Sequence, residues 1–513
     1  MKMGATSGLA VLLIVLPLAA FASYQRDEEA QRRAPEGRGF RPAAKRPPTF
    51  QIIYFHGIGA AGLKPRPSEA GNSLFHQPAR KTLRVSPNGP LRTIQQAIVI
   101  AAPGDTIRVE PGRYDGNLVL NKSLGLEGLG TPTIRGTGQA SVITITADGC
   151  TVRGFVIEHS GGMLEEENSG VLLRSSGNKI ERNELRDILF GIYLFRSNDN
   201  VLTDNVIHGR DSIEIGERGA GIHIWDSLRN TIIGNTIIAA RDGMYLQNAS
   251  NSVIRGNRIS DLRYGLHYMY SNDNLFEDNT FDKNVAGAAI MYSRRIQFRR
   301  NLFIHNRGFS SFGILFQDDE DCVAEQNLIV DNGVGIFMET LHRSLFTQNL
   351  VAANDIAIET FSSAGENTFE ANNFVENLSP LWVIGKHTSN SWNGEQRGNY
   401  WSGYDGYDLD GDGVGDVPFK IQNVFEHLEG NYPRLRLYLF SPAAQALALA
   451  EKVFPVVEGS REFDRYPLMK PVVLPIRMPE ADPRTFSLSL LLPLTMIATS
   501  VLVIIRGTQR CSR

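Results

Sequence analysis

SLRNTIIGNTIIAARDGMYLQN (Ser227–Asn248), ASNSVIRGNRISDLRYGLHYMY (Ala249–Tyr270) and SNDNLFEDNTFDKNVAGAAIMY (Ser271–Tyr292) align without gaps, each 22 residues long. The same frame fits Ser175–Arg196, Asp319–Thr340 and Leu341–Ser362, whereas insertions lengthen Ser197–Asp226 to 30 residues and Ser293–Asp318 to 26. An asparagine holds the ninth slot throughout: Asn183, Asn205, Asn235, Asn257, Asn279, Asn301, Asn327 and Asn349. A glycine recurs later in the unit, as Gly191, Gly221, Gly243, Gly265, Gly287, Gly313 and Gly335. One such unit cannot bury its own apolar side, but stacked units share a continuous core. The repeat therefore predicts an all-β chain folded as a right-handed parallel β-helix, with coils stacked about 4.8 Å apart.

The apolar columns fit that expectation. Ile180, Leu202, Ile232, Ile254, Phe276, Phe298 and Phe346 form one inward column, and Leu185, Ile207, Ile237, Ile259, Phe281, Phe303, Ile329 and Val351 a second. Asparagine is concentrated in the same region, with 28 of the 34 between Asn168 and Asn399. At the coil corners asparagines can bond to the backbone and to one another as a ladder, so they are assigned to structure, not to chemistry. Upstream, Arg92–Ala101 reads as an amphipathic helix closing the open end, which sets the solenoid at 82–398.

After each recurrent glycine the alternation continues with Ile192/Leu194, Ile222/Ile224, Met244/Leu246, Leu266/Tyr268, Ala288/Ile290 and Ile314/Phe316 facing inward. The intervening residues must face outward, and they are unusual for solvent. One column reads Tyr193, His223, Tyr245, His267, Ala289, Leu315, Phe337, Glu359; the other reads Phe195, Trp225, Gln247, Met269, Met291, Gln317, Glu339, Phe361. Such a stripe is a contact surface or a site. His267 and Met269 share a strand and Met291 lies one rung away. Imidazole with two thioethers is a soft donor set suited to transient binding of Cu(I). His223, two rungs from His267, would extend the path; Met244 points inward and is excluded.

The ends set the compartment. MKMGATSGLAVLLIVLPLAAFAS has a short apolar run and the small-x-small site Ala20-Phe21-Ala22, the pattern of a secretory signal peptide over 1–22. Residues 23–81 are rich in Pro, Arg and Gly and read as a flexible linker. Residues 486–505 carry no charge over a length that crosses a bilayer as a helix, and Arg506, Arg510 and Arg513 follow it. The expectation is an exported body tethered to the outer face of the cytoplasmic membrane by a C-terminal transmembrane helix. With 52 basic against 55 acidic residues and net charge −3, nucleic acid is not an expected partner. Three cysteines with no CxxC motif give no disulfide framework.

Two further segments follow the coils. In GNYWSGYDGYDLDGDGVGDVPF, within 399–435, Asp408, Asp410, Asp412 and Asp416 take the first, third, fifth and ninth positions of a Ca²⁺-binding loop. Phe419 stands where an EF-hand has its bidentate glutamate, so the loop is not an EF-hand. Within 436–485, Ser441 is a suitable N-cap and Pro442 a suitable first residue for a helix ended by Pro455. Its apolar residues, among them Leu447, Leu449 and Phe454, suit docking to a partner or to the solenoid end, and LMKPVVLPIRMPEADPR after it reads as linker.

The coils, RYGLHYMYSNDN, the GNYWS-plus-acidic-loop segment and YPRLRLYLFSPAAQALALAEKVFP together resemble the NosD family of periplasmic copper-processing proteins of nitrous oxide reductase maturation. The resemblance runs from about Thr82 to Val457. It implies work with an ABC transporter made of a permease and an ATPase. It further implies receipt of copper from a lipoprotein chaperone and support for assembly of the copper–sulfur centre of nitrous oxide reductase. Carried over by position, Ser441–Pro455 would meet the permease. The N-terminal linker and C-terminal span depart from the simpler family pattern. The competing class is a polysaccharide-binding protein, lyase or epimerase, which needs a base and carboxylates on an outer groove. The outward columns hold no Lys or Arg, although Arg186, Arg241 and Asp242 stand at turns. A surface structural protein is the third reading.

Overall fold

The computed structural model describes residues 80–308, 310–421 and 462–474, together with Leu435, Ser441, Pro442, Ala443, Ala446 and Ala450. The segment 1–22 read as a signal peptide, nearly all of the segment 23–81 read as a linker and the apolar run 486–505 lie outside the described residues. Among the described residues, no helix is long and apolar enough to cross a membrane.

From Thr82–Val85 to Tyr400–Trp401 the chain is a parallel β-solenoid. Each coil contributes one short strand to each of three sheets. In one coil these are Val253–Arg255, Arg258–Ser260 and Tyr264–Met269. Among the described residues the three sheets contain 16, 13 and 12 strands. Register follows the repeat: Ile254 pairs with Phe276, Ile259 with Phe281 and Leu266 with Ala288, each one coil on. The apolar columns read from the sequence are the core, with Ile232, Ile254, Phe276 and Phe298 fully buried. Phenylalanines stack along the interior, Phe281 on Phe303 at 5.0 Å and Phe346 on Phe369 at 4.5 Å between ring centroids.

The asparagines build a buried ladder. Asn257 donates from Nδ2 to Oδ1 of Asn279 at 2.9 Å and to the Ile232 carbonyl at 3.0 Å, while its Oδ1 accepts the Asn235 N–H at 2.9 Å. Its backbone N–H goes to Asn279 Oδ1 at 3.0 Å. One side chain thus satisfies the turn of its own coil and the start of its neighbours', where buried peptide groups would otherwise be unpaired. A parallel ladder runs through Asn284, Asn306, Asn332, Asn354 and Asn377. The recurrent glycine answers to close approach: a Cβ on Gly265 would sit 2.5 Å from the Gly287 carbonyl oxygen and 2.8 Å from Phe281 Cδ1.

Both ends are closed. The helix Ile94–Ile100 buries Ile94, Ala97 and Ile98, with Thr93 and Gln96 forming a capping box. Lys122 Nζ satisfies the helix's terminal carbonyls at Ile98, Val99 and Ala101. At the other end the sequence expectation is corrected. Part of the stretch read as linker packs on the last coils: Leu468 is buried, and Asn373 bonds Val472 through both its N–H and its carbonyl. The cause is the ladder itself, which ends at Asn399 and needs a polar terminus. Asp464 supplies it, accepting from the Asn399 N–H at 2.7 Å and Trp401 Nε1 at 2.9 Å.

Candidate functional site

The outward face of the third sheet carries the candidate metal ligands. Parallel register places His223 beside Tyr245, Tyr245 beside His267, and Met269 beside Met291, with Gln247 on the other side of Met269. His267, Met269 and Met291 are thus brought onto two adjoining rungs, as the spacing predicts. His267 keeps 16% of its side-chain surface open, and both methionines are half-buried. Tyr270 and Tyr292, which follow the methionines, stack at 5.0 Å and are exposed.

Behind His267 lies a charged cluster. Asp242 Oδ2 is 3.4 Å from His267 Nδ1, and the Asp242 side chain is fully buried. Arg263 grips that carboxylate with Nε at 2.9 Å and Nη2 at 2.8 Å, and Arg241 Nε stands 3.4 Å away. Burial alone would raise the Asp242 pKa; hydrogen bonds from His267 and Arg263 outweigh it and hold the group at about 2. It is a carboxylate at any working pH. The Arg263 guanidinium lies over the Tyr264 ring at 4.5 Å, and His267 meets Tyr264 and Tyr245 edge-on at 5.1 and 4.8 Å.

His223 is placed differently from the open position expected of an outward residue. It is 8% exposed and lies between Tyr193 at 4.3 Å and Tyr245 at 4.5 Å. Leu189, Phe190, Tyr193 and Ala220 form a second, external apolar cluster against which Leu164 and Ile213 pack. Tyr193 donates its hydroxyl to Glu167 at 2.6 Å. The physical reason is the 30-residue coil, whose extra residues include Ile213 and fold over this end of the stripe. Burial pushes the His223 pKa down to about 3, aided by Arg241, so the ring is neutral. Neither of its ring nitrogens has a hydrogen-bond partner among the described residues.

The acidic loop gathers three of its four expected ligands: Asp408, Asp410 and Asp412 offer oxygens within 4.8 Å of one another. Asp416 turns instead to accept the Leu409 N–H at 2.7 Å. Ser441 stands at a bend before Pro442, and Pro442, Ala443, Ala446 and Ala450 are helical and exposed; Leu447, Leu449 and Phe454 lie outside the described residues. Asp242 is the residue that reading of the outward columns overlooks, since it precedes them. The signal is in its own column. The slot before the recurrent glycine holds Phe190, Ala220, Asp242, Tyr264, Ala286, Phe312 and Val334, a single carboxylate among apolar and aromatic residues.

A family model described as periplasmic copper-binding protein (NosD) matches residues 208–406, which include all of this face from His223 to Phe361. A probable ABC transporter binding protein NosD of Pseudomonas aeruginosa is 36% identical over 392 residues, 73% of this chain and 88% of that protein. The chain belongs to the NosD family. A second NosD, from Stutzerimonas stutzeri and described in the same words, is 31% identical over 383 residues, covering 71% of this chain and 86% of its own. Among solved structures, the A-module of the Azotobacter vinelandii mannuronan C-5 epimerase AlgE6 aligns with 60% of this NosD-family chain and 93% of the module, at 14% identity and a TM-score of 0.47. The periplasmic alginate epimerase AlgG aligns with 59% of this chain and 77% of its own, at 13% identity and a TM-score of 0.41.

Proposed function

We propose that the chain is a non-enzymatic copper carrier of the periplasm that receives and releases Cu(I) at His267, Met269 and Met291. The observation that carries this is the register pairing of Met269 with Met291 beside a partly open imidazole, within the segment matched by a copper-binding family model. Neutral thioethers hold Cu(I) without competing for protons, and a site of three weak donors releases its metal readily, as a carrier requires. Buried Cys150 and Cys322 take no part; burial raises both thiol pKa values, which keeps them as protonated, inert thiols.

In this reading the chain works with the permease and ATPase of an ABC transporter; its two relatives are described as probable ABC transporter binding proteins, which supports the transporter partner. It takes copper from a lipoprotein chaperone and serves assembly of the copper–sulfur centre of nitrous oxide reductase. Ser441–Pro455 contributes the permease contact, and 486–505 tethers the body to the membrane. The test is Cu(I) titration of the full chain against a competing chromophoric chelator. The His267→Ala/Met269→Ala/Met291→Ala variant is expected to lose the site, and equal affinity in the two proteins overturns the assignment. Nitrous oxide reductase from cells carrying that variant is expected to lack its copper–sulfur centre; a full complement of copper there overturns the role.

A further inference from the structure

His267 can present either ring nitrogen outward, and which one is free is decided by what holds the other. Within 3.4 Å of Nδ1 stands Asp242 Oδ2, on a side chain with no exposed surface. The carboxylate cannot swing away, because Arg263 holds both of its oxygens and Arg241 approaches one of them. Removing those partners would leave a buried charge uncompensated, so the cluster is in place before any ligand arrives.

The coil itself does not need this carboxylate. Coils on either side make the same turn with Ala220 and Tyr264 in the slot, and others do so with Phe190, Ala286, Phe312 and Val334. Each turn leads into a strand of the same sheet with the same register. In this slot the single buried acid stands in the coil just before the one that carries the candidate imidazole, while the coil just after it has Ala286 there.

We infer that Asp242 is the positioning residue of the copper site: it accepts the Nδ1–H of His267 and so presents Nε2 to the metal, with Arg263 locking the acid in place. This rests on the copper reading above. The arrangement makes the imidazole a better donor, since a carboxylate on the far nitrogen raises the ligand's electron density. It also fixes ring orientation, so that the imidazole need not be ordered when copper arrives.

The test uses the full chain in two measurements. Cu(I) competition titration compares wild type with Asp242→Asn, where affinity is expected to fall by about 10- to 100-fold. Solid-state ¹⁵N NMR of the metal-free, ¹⁵N-histidine-labelled chain reads the His267 tautomer, assigned by its loss in His267→Gln. Wild type is expected to show Nδ1–H, and Asp242→Asn a mixture. Should Asp242→Asn fold poorly, the double variant Asp242→Ala/Arg263→Leu restores the apolar slot of the other coils and is expected to show the same loss of affinity. Wild-type affinity in a folded Asp242 variant, or an unchanged tautomer, overturns the inference. The two ideas separate cleanly: if the His267/Met269/Met291 triple alanine variant retains copper, the copper reading falls, while the tautomer experiment still judges whether Asp242 orients the ring.

Discussion

Asp319 occupies a corner slot that serine fills in the two coils before it, as Ser271 and Ser293. Ser271 N–H bonds Ser293 Oγ at 3.1 Å, and Ser293 N–H in turn bonds Asp319 Oδ1 at 2.8 Å. The Gln317 N–H adds a second donor at 3.0 Å, yet burial dominates and lifts the carboxyl pKa from 3.8 to about 8. Between those two values the folded chain keeps a proton that the unfolded chain has released, so this residue's contribution to stability falls as pH rises from about 4 to about 8. Asp319→Ser restores the hydroxyl ladder. Its melting temperature relative to wild type is expected to climb steadily across that window by calorimetry; a constant difference would refute the shift. The same scale shows where sequence reading stops. His267, Met269 and Met291 were legible because period and alternation fix which residues share a face. The burial of His223 was not, because the place where a long insertion lands is set by its own side chains, Ile213 among them, and not by the repeat.

At the scale of the element, eight successive strands of the third sheet carry a glycine at or beside their start, from Gly170 to Gly335, and none of these has a positive φ, so the residue is chosen for space and not for backbone conformation. The stack passes from coil to coil: a Cβ on Gly265 would strike the Gly287 carbonyl, and one on Gly287 the Gly313 carbonyl, each at 2.5 Å. Backbone on one side and a packed phenylalanine on the other leave little room to yield. Gly265→Ala is expected to cost about 1–3 kcal/mol in urea unfolding, the usual penalty for overpacking a tight core. Gly216, in the short helical turn Ile215–Glu217 of the long coil, has nothing within 4 Å of its would-be Cβ. Gly216→Ala is expected to change stability by less than about 0.5 kcal/mol. A large cost at Gly216 or none at Gly265 would show that something other than coil spacing selects these glycines. The ninth-slot asparagines were readable at this scale because the repeat isolates them. The second ladder, through Asn284, Asn306 and Asn332, is not legible in the same way, because its slot holds Ile188, Arg210, Ala240 and Leu262 in the earlier coils.

For the whole molecule, a solenoid is nearly one-dimensional: each coil is stabilised by its neighbours, and an open end is where unfolding starts. The sequence announced the N-terminal cap as an amphipathic helix, but the C-terminal cap comes from residues far along the chain with no periodicity to mark them. Glu462 accepts from the Thr388 N–H at 2.8 Å and from Trp392 Nε1 at 2.5 Å, while Asp464 ends the main asparagine ladder. Burial raises the Asp464 pKa to about 6, opposed by its bonds from Trp401 and Asn399, so the cap holds a carboxyl group in a setting that only those donors make tolerable. Asp464→Ala leaves the Asn399 N–H and the Trp401 indole N–H buried without their acceptor, at a cost of about 1–3 kcal/mol for each unsatisfied group. In a cooperative globule that loss would spread over every coil. In a one-dimensional stack it must fall first on the coils nearest the cap, those containing Asn372, Asn373 and Trp392. Hydrogen exchange of the full-length Asp464→Ala variant is therefore expected to accelerate over 372–401 and to stay at wild-type rates over 106–158. Uniform acceleration along the solenoid would mean that the coils unfold as one unit and that the cap stabilises the molecule globally.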